Sequence, residues 1–419
     1  MKRKIILAGF FVLVGSAYQA QNWFQVNSGT TKKLNTIDFP SASIGYIGGN
    51  DSILLKTVDG GQNWSELNYS GVTFYPGGEH IVNLDFVSEN IGFMTVGPYT
   101  GSFKTIDGGI TWTAITGLNT CYNQGLYFFD EQNGFIGGSG CFQGELIDRL
   151  NGGIWSPSSV NTSTWDAQNT VVDIDFLDAN NGLAASRSGY VLRTIDGGIN
   201  WDTIRSSLEM NPLTSILFVN ANLAYAGYVS LTAGFGLYIS TDGGLTWGFD
   251  SGSATFLYPY FYTLHQAGNG KIYAGGAPTS LSGGVIFENP GQFSEWDYAA
   301  VAQSVYDISS HSDSIVFTVG DSGQILVNKD LSILSVLDQA INSIDFHLFP
   351  NPVTSNLNFR NSDEFIAGNS FITIFSMMGE LVHSEKFASQ INLEKLKNGI
   401  YLVKIETENE VITKKIIKE

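Results

Sequence analysis

Apolar and polar residues alternate in short runs along most of the chain, a period of two that predicts β-strands rather than helices. The clearest stretch is IVNLDFVSENIGFMTVG (81–97), which reads as an alternating strand, a polar turn, then a strand of small and apolar residues. LNTIDFPSASIGYIGG (34–49) and VVDIDFLDANNGLAAS (171–186) repeat that order, and weaker copies stand at 123–139, 213–227, 261–276 and 304–320. Seven units of one build are predicted.

A second phrase follows most of these units. TVDGGQNW (57–64), TIDGGITW (105–112), TIDGGINW (194–201) and STDGGLTW (240–247) are near copies. RLNGGIW, ending at Trp155, and NPGQFSEW, ending at Trp296, are worn ones. Seven tryptophans, at 23, 64, 112, 155, 201, 247 and 296, recur every 41 to 49 residues, and Trp165 alone is off this lattice. A period in the forties with four short strands per repeat is that of a propeller blade. The seventh unit runs out near Asp330 without a tryptophan, whereas Trp23 precedes the first unit with no strands before it. Both oddities are explained if the segment around Trp23 supplies the outermost strand of the last blade, which also removes an open sheet edge. The expected fold is all-β: a seven-bladed β-propeller over residues 21–330, closed by its N-terminal strand.

In each octet the paired glycines allow positive φ in a tight hairpin, and the aspartate before them can accept hydrogen bonds from turn amides. A residue that recurs in successive blades cannot mark a single reaction centre. Asp59, Asp107, Asp196 and Asp242, with Trp64, Trp112, Trp201 and Trp247, are therefore expected to be scaffold. The octets resemble the Asp-box, or BNR repeat, found in sialidases, xyloglucanases, sortilin-type receptors and photosystem II assembly factor-like propellers.

Beyond a short apolar linker (331–344) the repeat stops. From 345 to 419 strand-like runs alternate with turn signals at Pro350-Asn351-Pro352, Met378-Gly379 and Asn398-Gly399, which predicts a small β-sandwich. This segment resembles the type A sorting domain of the type IX secretion system of Bacteroidota. The resemblance rests on those turns, Gly399-Ile400-Tyr401 and the tail Lys414-Lys415-Ile416-Ile417-Lys418. It implies passage across the outer membrane, contact of residues 345–419 with the secretion machinery, and release or attachment at the cell surface. The other end fits. Lys2, Arg3 and Lys4 precede the apolar run Ile5 to Val14, followed by small residues with cleavage after Ala17 or Ala20, as in a signal peptide over 1–20. No later stretch is long and apolar enough to span a membrane.

Composition narrows the chemistry. With 48 glycines and only 14% charged residues, the chain suits short strands and tight turns. A net charge of −18 argues against nucleic acid and anionic lipid as partners. Cys121 and Cys141 either form a disulfide, contributing about 3 kcal/mol by loop closure, or remain free thiols. No cofactor or metal is expected, since the five histidines have no ligand spacing. A sialidase would need three clustered arginines, and the propeller region offers only Arg149, Arg187, Arg193 and Arg205. No catalytic residue is assigned, and Glu79, Asp166 and Asp321 show no pairing that would single out two acids of a glycosidase.

A ligand is expected on the face formed by the blade-to-blade and second-to-third-strand loops, opposite the box hairpins. Tyr75, Tyr99, Trp165, Arg187, Tyr228 and Tyr260 are the binding candidates there, as aromatics and a cation among polar loops. The favoured function is a non-catalytic, surface-displayed module binding glycan or protein. The alternative is a secreted glycoside hydrolase acting on extracellular polysaccharide.

Overall fold

The computed structural model describes residues 23–74, 79–97, 101–140, 146–161, 170–204, 211–229, 237–253, 259–278, 283–290, 296–312, 315–329, 346–350, 352–361, 371–376, 381–386, 390–406 and 411–418. The chain divides into two compact units, Met1–Lys329 and Asp330–Glu419. Among the described residues there is no α-helix, only strands and two short 3-10 turns at Ser251–Ser253 and Asp321–Gly323.

The described strands of the first unit form seven sheets. Their first strands are Leu34–Asp38, Ile81–Phe86, Thr120–Asp130, Val171–Phe176, Leu213–Phe218, Pro259–Gln266 and Val305–Ser312. Each lies against the first strand of the next sheet, and Val305–Ser312 lies against Leu34–Asp38, which closes the cycle. The fourth strand of the seventh sheet comes from the other end of the unit. Trp23–Val26 pairs antiparallel with Ile325–Lys329, placing Trp23 opposite Asn328 and Val26 opposite Ile325.

The apolar residues of the inner strands are buried between sheets. Seven buried clusters each draw on two successive sheets, including one shared by the first and the seventh around Leu34, Phe39, Phe317 and Val327. The lattice tryptophans sit in these seams. Trp201 packs edge-on against Phe135 of the preceding sheet and Phe176 of its own. Trp23 does the same between the sixth and seventh sheets, edge-on to Tyr273, and its indole donates to Glu288 at 3.1 Å. The glycine opening a second strand makes room for the ring ending the first. A Cβ on Gly182 would stand 2.6 Å from the Phe176 ring, which stacks on Phe135 of the preceding sheet.

Outer edges are blunted as well. Ser159–Asn161, arriving from the third sheet, adds a parallel fifth strand to the fourth sheet along Asn200–Ile204. Ser70 makes a single parallel bridge to Thr111 in the same manner.

In the second unit, Phe346–Phe349, Asn356–Asn361 and Gln390–Asn392 form one sheet. Phe371–Ser376, Leu381–Lys386, Gly399–Glu406 and Val411–Lys418 form another. Both contribute to one core containing Leu357, Ile391, Ile372, Ile374, Tyr401, Val403 and Ile416.

Candidate functional site

The seven first strands surround the axis of the first unit, and alternate side chains on them point inward, as the period of two requires. These polar side chains tie each sheet to the next. The carboxylate of Asp38 accepts from the backbone N–H of Phe86 at 2.6 Å, and Asp85 from Phe128 at 2.8 Å. Asp175 accepts from Phe218 at 2.7 Å, and Asp173 from Ile216 at 2.8 Å and the Ser215 hydroxyl at 2.7 Å. Asp307 of the seventh sheet accepts from Ile37 of the first at 2.9 Å. The girdle therefore closes where the ring of sheets closes.

Burial sets the acidity of these groups. Each is only half-buried by area because it borders the axial channel, yet protein surrounds it on its other sides. Loss of hydration raises the Asp173 and Asp307 carboxyls to about 6 and that of Asp175 to about 7, against the downward pull of the amides they accept from. Asp38 and Asp85 are raised by burial too, Asp38 further by its negative neighbour Asp85. His265, also on the channel wall and bonded to Ser310 at 2.8 Å, is pushed the other way, to about 4, by burial.

At one end the channel opens into a cavity of about 710 Å³ touched by all seven sheets. Its walls are the starts of the first strands and residues that follow the second strands, including Lys33, Asn50, Gln124, Arg187, Tyr262 and Tyr306. The Lys33 ammonium stands 3.5 Å above the Tyr306 ring, which stacks on Tyr262 with centroids 5.2 Å apart. The Tyr306 phenol donates to Asp321 at 3.1 Å. Burial lowers the Lys33 pKa, partly offset by the charge of Asp321. Across the mouth, Arg187 donates to Gln124 at 2.9 Å. Toward the other end a second cavity of about 450 Å³ is bounded by Asp173, Asp175, Leu217, His265 and Gln266.

The residues proposed from sequence fall in several places. Arg187 is exposed on the wall of the larger cavity. Tyr260 is half-buried on the first strand of the sixth sheet. Tyr75, Tyr99, Trp165 and Asp166 lie outside the described residues. Tyr228 requires a correction: it is 2% exposed, stacked on Tyr238 at 4.4 Å, and its hydroxyl is buried without a partner. It ends the wholly buried strand Ala224–Tyr228, so it belongs to a seam and not to the mouth. Sequence reasoning also passed over Lys33 and Tyr306, which carry no repeat signal, and the channel aspartates, which do. Asp38, Asp85 and Asp175 recur in the same place before a phenylalanine.

The box aspartates lie on the hairpins. Asp107 accepts from the Thr111 amide at 2.8 Å, the Thr111 hydroxyl at 2.6 Å and the Thr105 hydroxyl at 2.9 Å. Asp59, Asp196 and Asp242 repeat this geometry with Asn63, Asn200 and Thr246. Gly108 and Gly109 have φ of 72° and 88°, which the turn requires. Trp112 and Trp247 donate back to the carbonyls of Gly109 and Gly244 at 3.0 Å. Trp64 and Trp201 are buried in the corresponding seams of their own sheets. Cys121 is disulfide-bonded; the chain has one other cysteine, Cys141, outside the described residues. Among the described residues no group of three or more His, Cys, Asp or Glu is placed to hold a metal ion, and no helix is long and apolar enough to cross a membrane.

Comparison with known proteins divides along the same boundary. Residues 347–419 match the family described as "Secretion system C-terminal sorting domain". This tail is a type IX sorting domain, which marks the chain for export and for secretion or surface attachment. The chain is similar in fold to YCF48 from Cyanidioschyzon merolae, with 16% identity, a TM-score of 0.55, and 74% of this chain and 98% of that one covered. It is similar to the WD40 beta propeller domain of Doa1 at 12% identity and TM-score 0.52, covering 73% and 94%. It is also similar to an ancestral GH74 enzyme at 13% identity and TM-score 0.52, covering 94% of this chain and 63% of that one. At such identities the likeness is one of fold, that of a β-propeller. No curated protein matches the chain.

Proposed function

We propose that the protein is an exported, non-catalytic binding module that receives a glycan or protein ligand at the mouth of its axial channel. In this reading the seven sheets are blades of one propeller closed by the strand at Trp23, the box hairpins are scaffold, residues 1–20 are a signal peptide, and the tail is a sandwich that addresses the secretion machinery. Cys121 pairs with Cys141.

One observation carries the non-catalytic reading. The carboxylates that reach the larger cavity are already committed: Asp173 accepts from Ile174, Ser215 and Ile216, and Asp307 from Ile37, Thr263 and Ile308. A glycosidase needs one acid free to give a proton and another free to attack or to activate water. Removing these acids from their amides would unpin neighbouring sheets. The GH74 likeness does not weigh against this, being a likeness of fold.

A glycan array and a panel of polysaccharide hydrolysis assays with the exported chain test the reading. Saturable binding with no release of reducing ends is expected; turnover abolished by Asp173→Asn or Asp307→Asn in a folded protein would favour a hydrolase. Truncation after residue 344 is expected to leave the first unit folded and held in the cell envelope, and normal export of that chain would contradict the role given to the tail.

A further inference from the structure

Hydrogen-bonding capacity at the mouth is spent unevenly. The acceptors lining it are largely used: both oxygens of Asp173 and Asp307, the Asn83 side-chain oxygen by Leu84 and Thr36, Gln124 Oε1 by Arg187, and Asn50 Oδ1 by Asn35. Asn35 Oδ1 is the exception among the amide and carboxylate oxygens of this wall. The donors are largely unspent. Among the described residues the Lys33 ammonium has a ring beneath it but no acceptor, and Arg187 spends one nitrogen on Gln124. The Asn50 and Gln124 side-chain N–H groups and the Tyr262 hydroxyl have no partner there. Asn35 holds the Asn50 amide in place by donating both to its oxygen and to the Ile81 carbonyl, each at 2.9 Å.

Unspent donors with a cation on each side select for acceptor oxygens, and for anionic ones most strongly where the Asp173 and Asp307 carboxyls of the same wall, raised to about 6, hold their protons; Asp321 offsets part of the Lys33 charge. The wall also discriminates between polymers. An extended peptide brings one N–H per residue that needs an acceptor, and most side-chain acceptors of this wall already take at least one bond; the inner edges of the first strands face one another, and amides on them, such as those of Phe86, Ile216 and Ile37, are already bonded to carboxylates of the preceding sheet, which leaves little for strand addition. A sugar hydroxyl can accept where it cannot donate, and an acidic substituent only accepts. We propose, resting on the reading of the mouth as a binding surface, that its ligand is an acidic oligosaccharide whose carboxylate or sulfate oxygens are held by Lys33 and Arg187. The Asn50 and Gln124 amides and the Tyr262 hydroxyl serve its neutral oxygens. Tyr306 acts as a positioning residue, fixing Lys33 from below. The chain as a whole is at −18, so recognition of an acidic polymer is confined to this mouth and is weakened elsewhere by repulsion.

Calorimetric titration of the full exported chain at low ionic strength with four probes tests this: pentagalacturonate, a sulfated galactan oligomer of similar length, cellopentaose and penta-glutamate. One of the two acidic saccharides binds, and which of them binds identifies the oxyanion. Arg187→Gln, at an exposed position, is expected to weaken it about 10-fold or more. Lys33→Gln should do the same while Lys33→Arg retains affinity. Cellopentaose binding as tightly as either acidic saccharide, or saccharide binding indifferent to Arg187→Gln and Lys33→Gln in folded variants, overturns the inference. Tight binding of penta-glutamate without saccharide binding overturns it in favour of a protein partner. Neutral-sugar or peptide binding abolished by Tyr262→Ala would still leave the mouth as the binding surface, whereas ligand binding untouched by every substitution at the mouth removes that reading too.

Discussion

Two sets of aspartates in the first unit accept similar backbone hydrogen bonds and end with opposite acidities. The box aspartates Asp59, Asp107, Asp196 and Asp242 lie next to solvent, where turn amides and hydroxyls hold their carboxyls below the ordinary carboxylate value. The channel aspartates Asp38, Asp85, Asp173, Asp175 and Asp307 accept amides as well, yet the loss of hydration outweighs those bonds and raises them. The box bonds span a few residues within one hairpin, while the channel bonds span more than forty residues and join one sheet to the next. The difference teaches that hydrogen-bond count does not fix the charge state of a carboxylate; its access to water decides.

The largest expected effect follows from the channel set as a whole. A carboxyl raised on folding takes up a proton as the chain folds, so its stabilisation is complete below the unfolded value and is lost as pH rises through the folded one. Five such groups predict that stability falls between pH 5 and pH 8, by on the order of a few kcal/mol. His265, lowered from 6.5 to about 4, gains stability as pH rises between those values and offsets part of the fall below about pH 6.5, while the box contribution is lost as pH drops below the ordinary carboxylate value. Thermal melts should therefore be highest near pH 5. A melting temperature that climbs from pH 5 to pH 8 would show that the channel groups are ionised without penalty.

Single substitutions sharpen the contrast. Asp307→Ala strands the buried amide of Ile37 at the seam between the seventh and first sheets and should cost about 2–3 kcal/mol in denaturant unfolding. No change would mean the closing bond is dispensable. Asp107→Ala should cost less, about 1 kcal/mol, because water can reach the turn donors it abandons. An equal or larger loss there would erase the distinction between the two sets. Asp175→Asn should be smallest, within about 0.5 kcal/mol at pH 5 where the acid is already neutral. It should also flatten the slope toward pH 8, and an unchanged slope would remove Asp175 from the titrating set.

Much of this was legible in the chain. One indole per sheet, set on an interval in the forties, marks each seam because the same aromatic contact recurs there, and the missing seventh indole pointed to Trp23. The recurrence of Asp38, Asp85 and Asp175 in IDF and LDF phrases was visible too. Their burial was not, since it depends on which amide of the following sheet faces them. The mouth was least legible. Arg187 was found as a cation in a polar turn, but Lys33 and Tyr306 come from neighbouring sheets at the closure of the ring, where sequence distance hides contact. Tyr228 shows the converse error, in which an aromatic at the end of a small-residue strand belongs to the packing between sheets.

The most direct measurement is a pH titration of the carboxyl carbons in full-length protein labelled with ¹³C at aspartate alone, assigned by Asp→Asn substitution. The account predicts that Asp173, Asp175 and Asp307 titrate between about 6 and about 7 while Asp107 and Asp196 titrate below the ordinary carboxylate value. All of them titrating together near that ordinary value would contradict it.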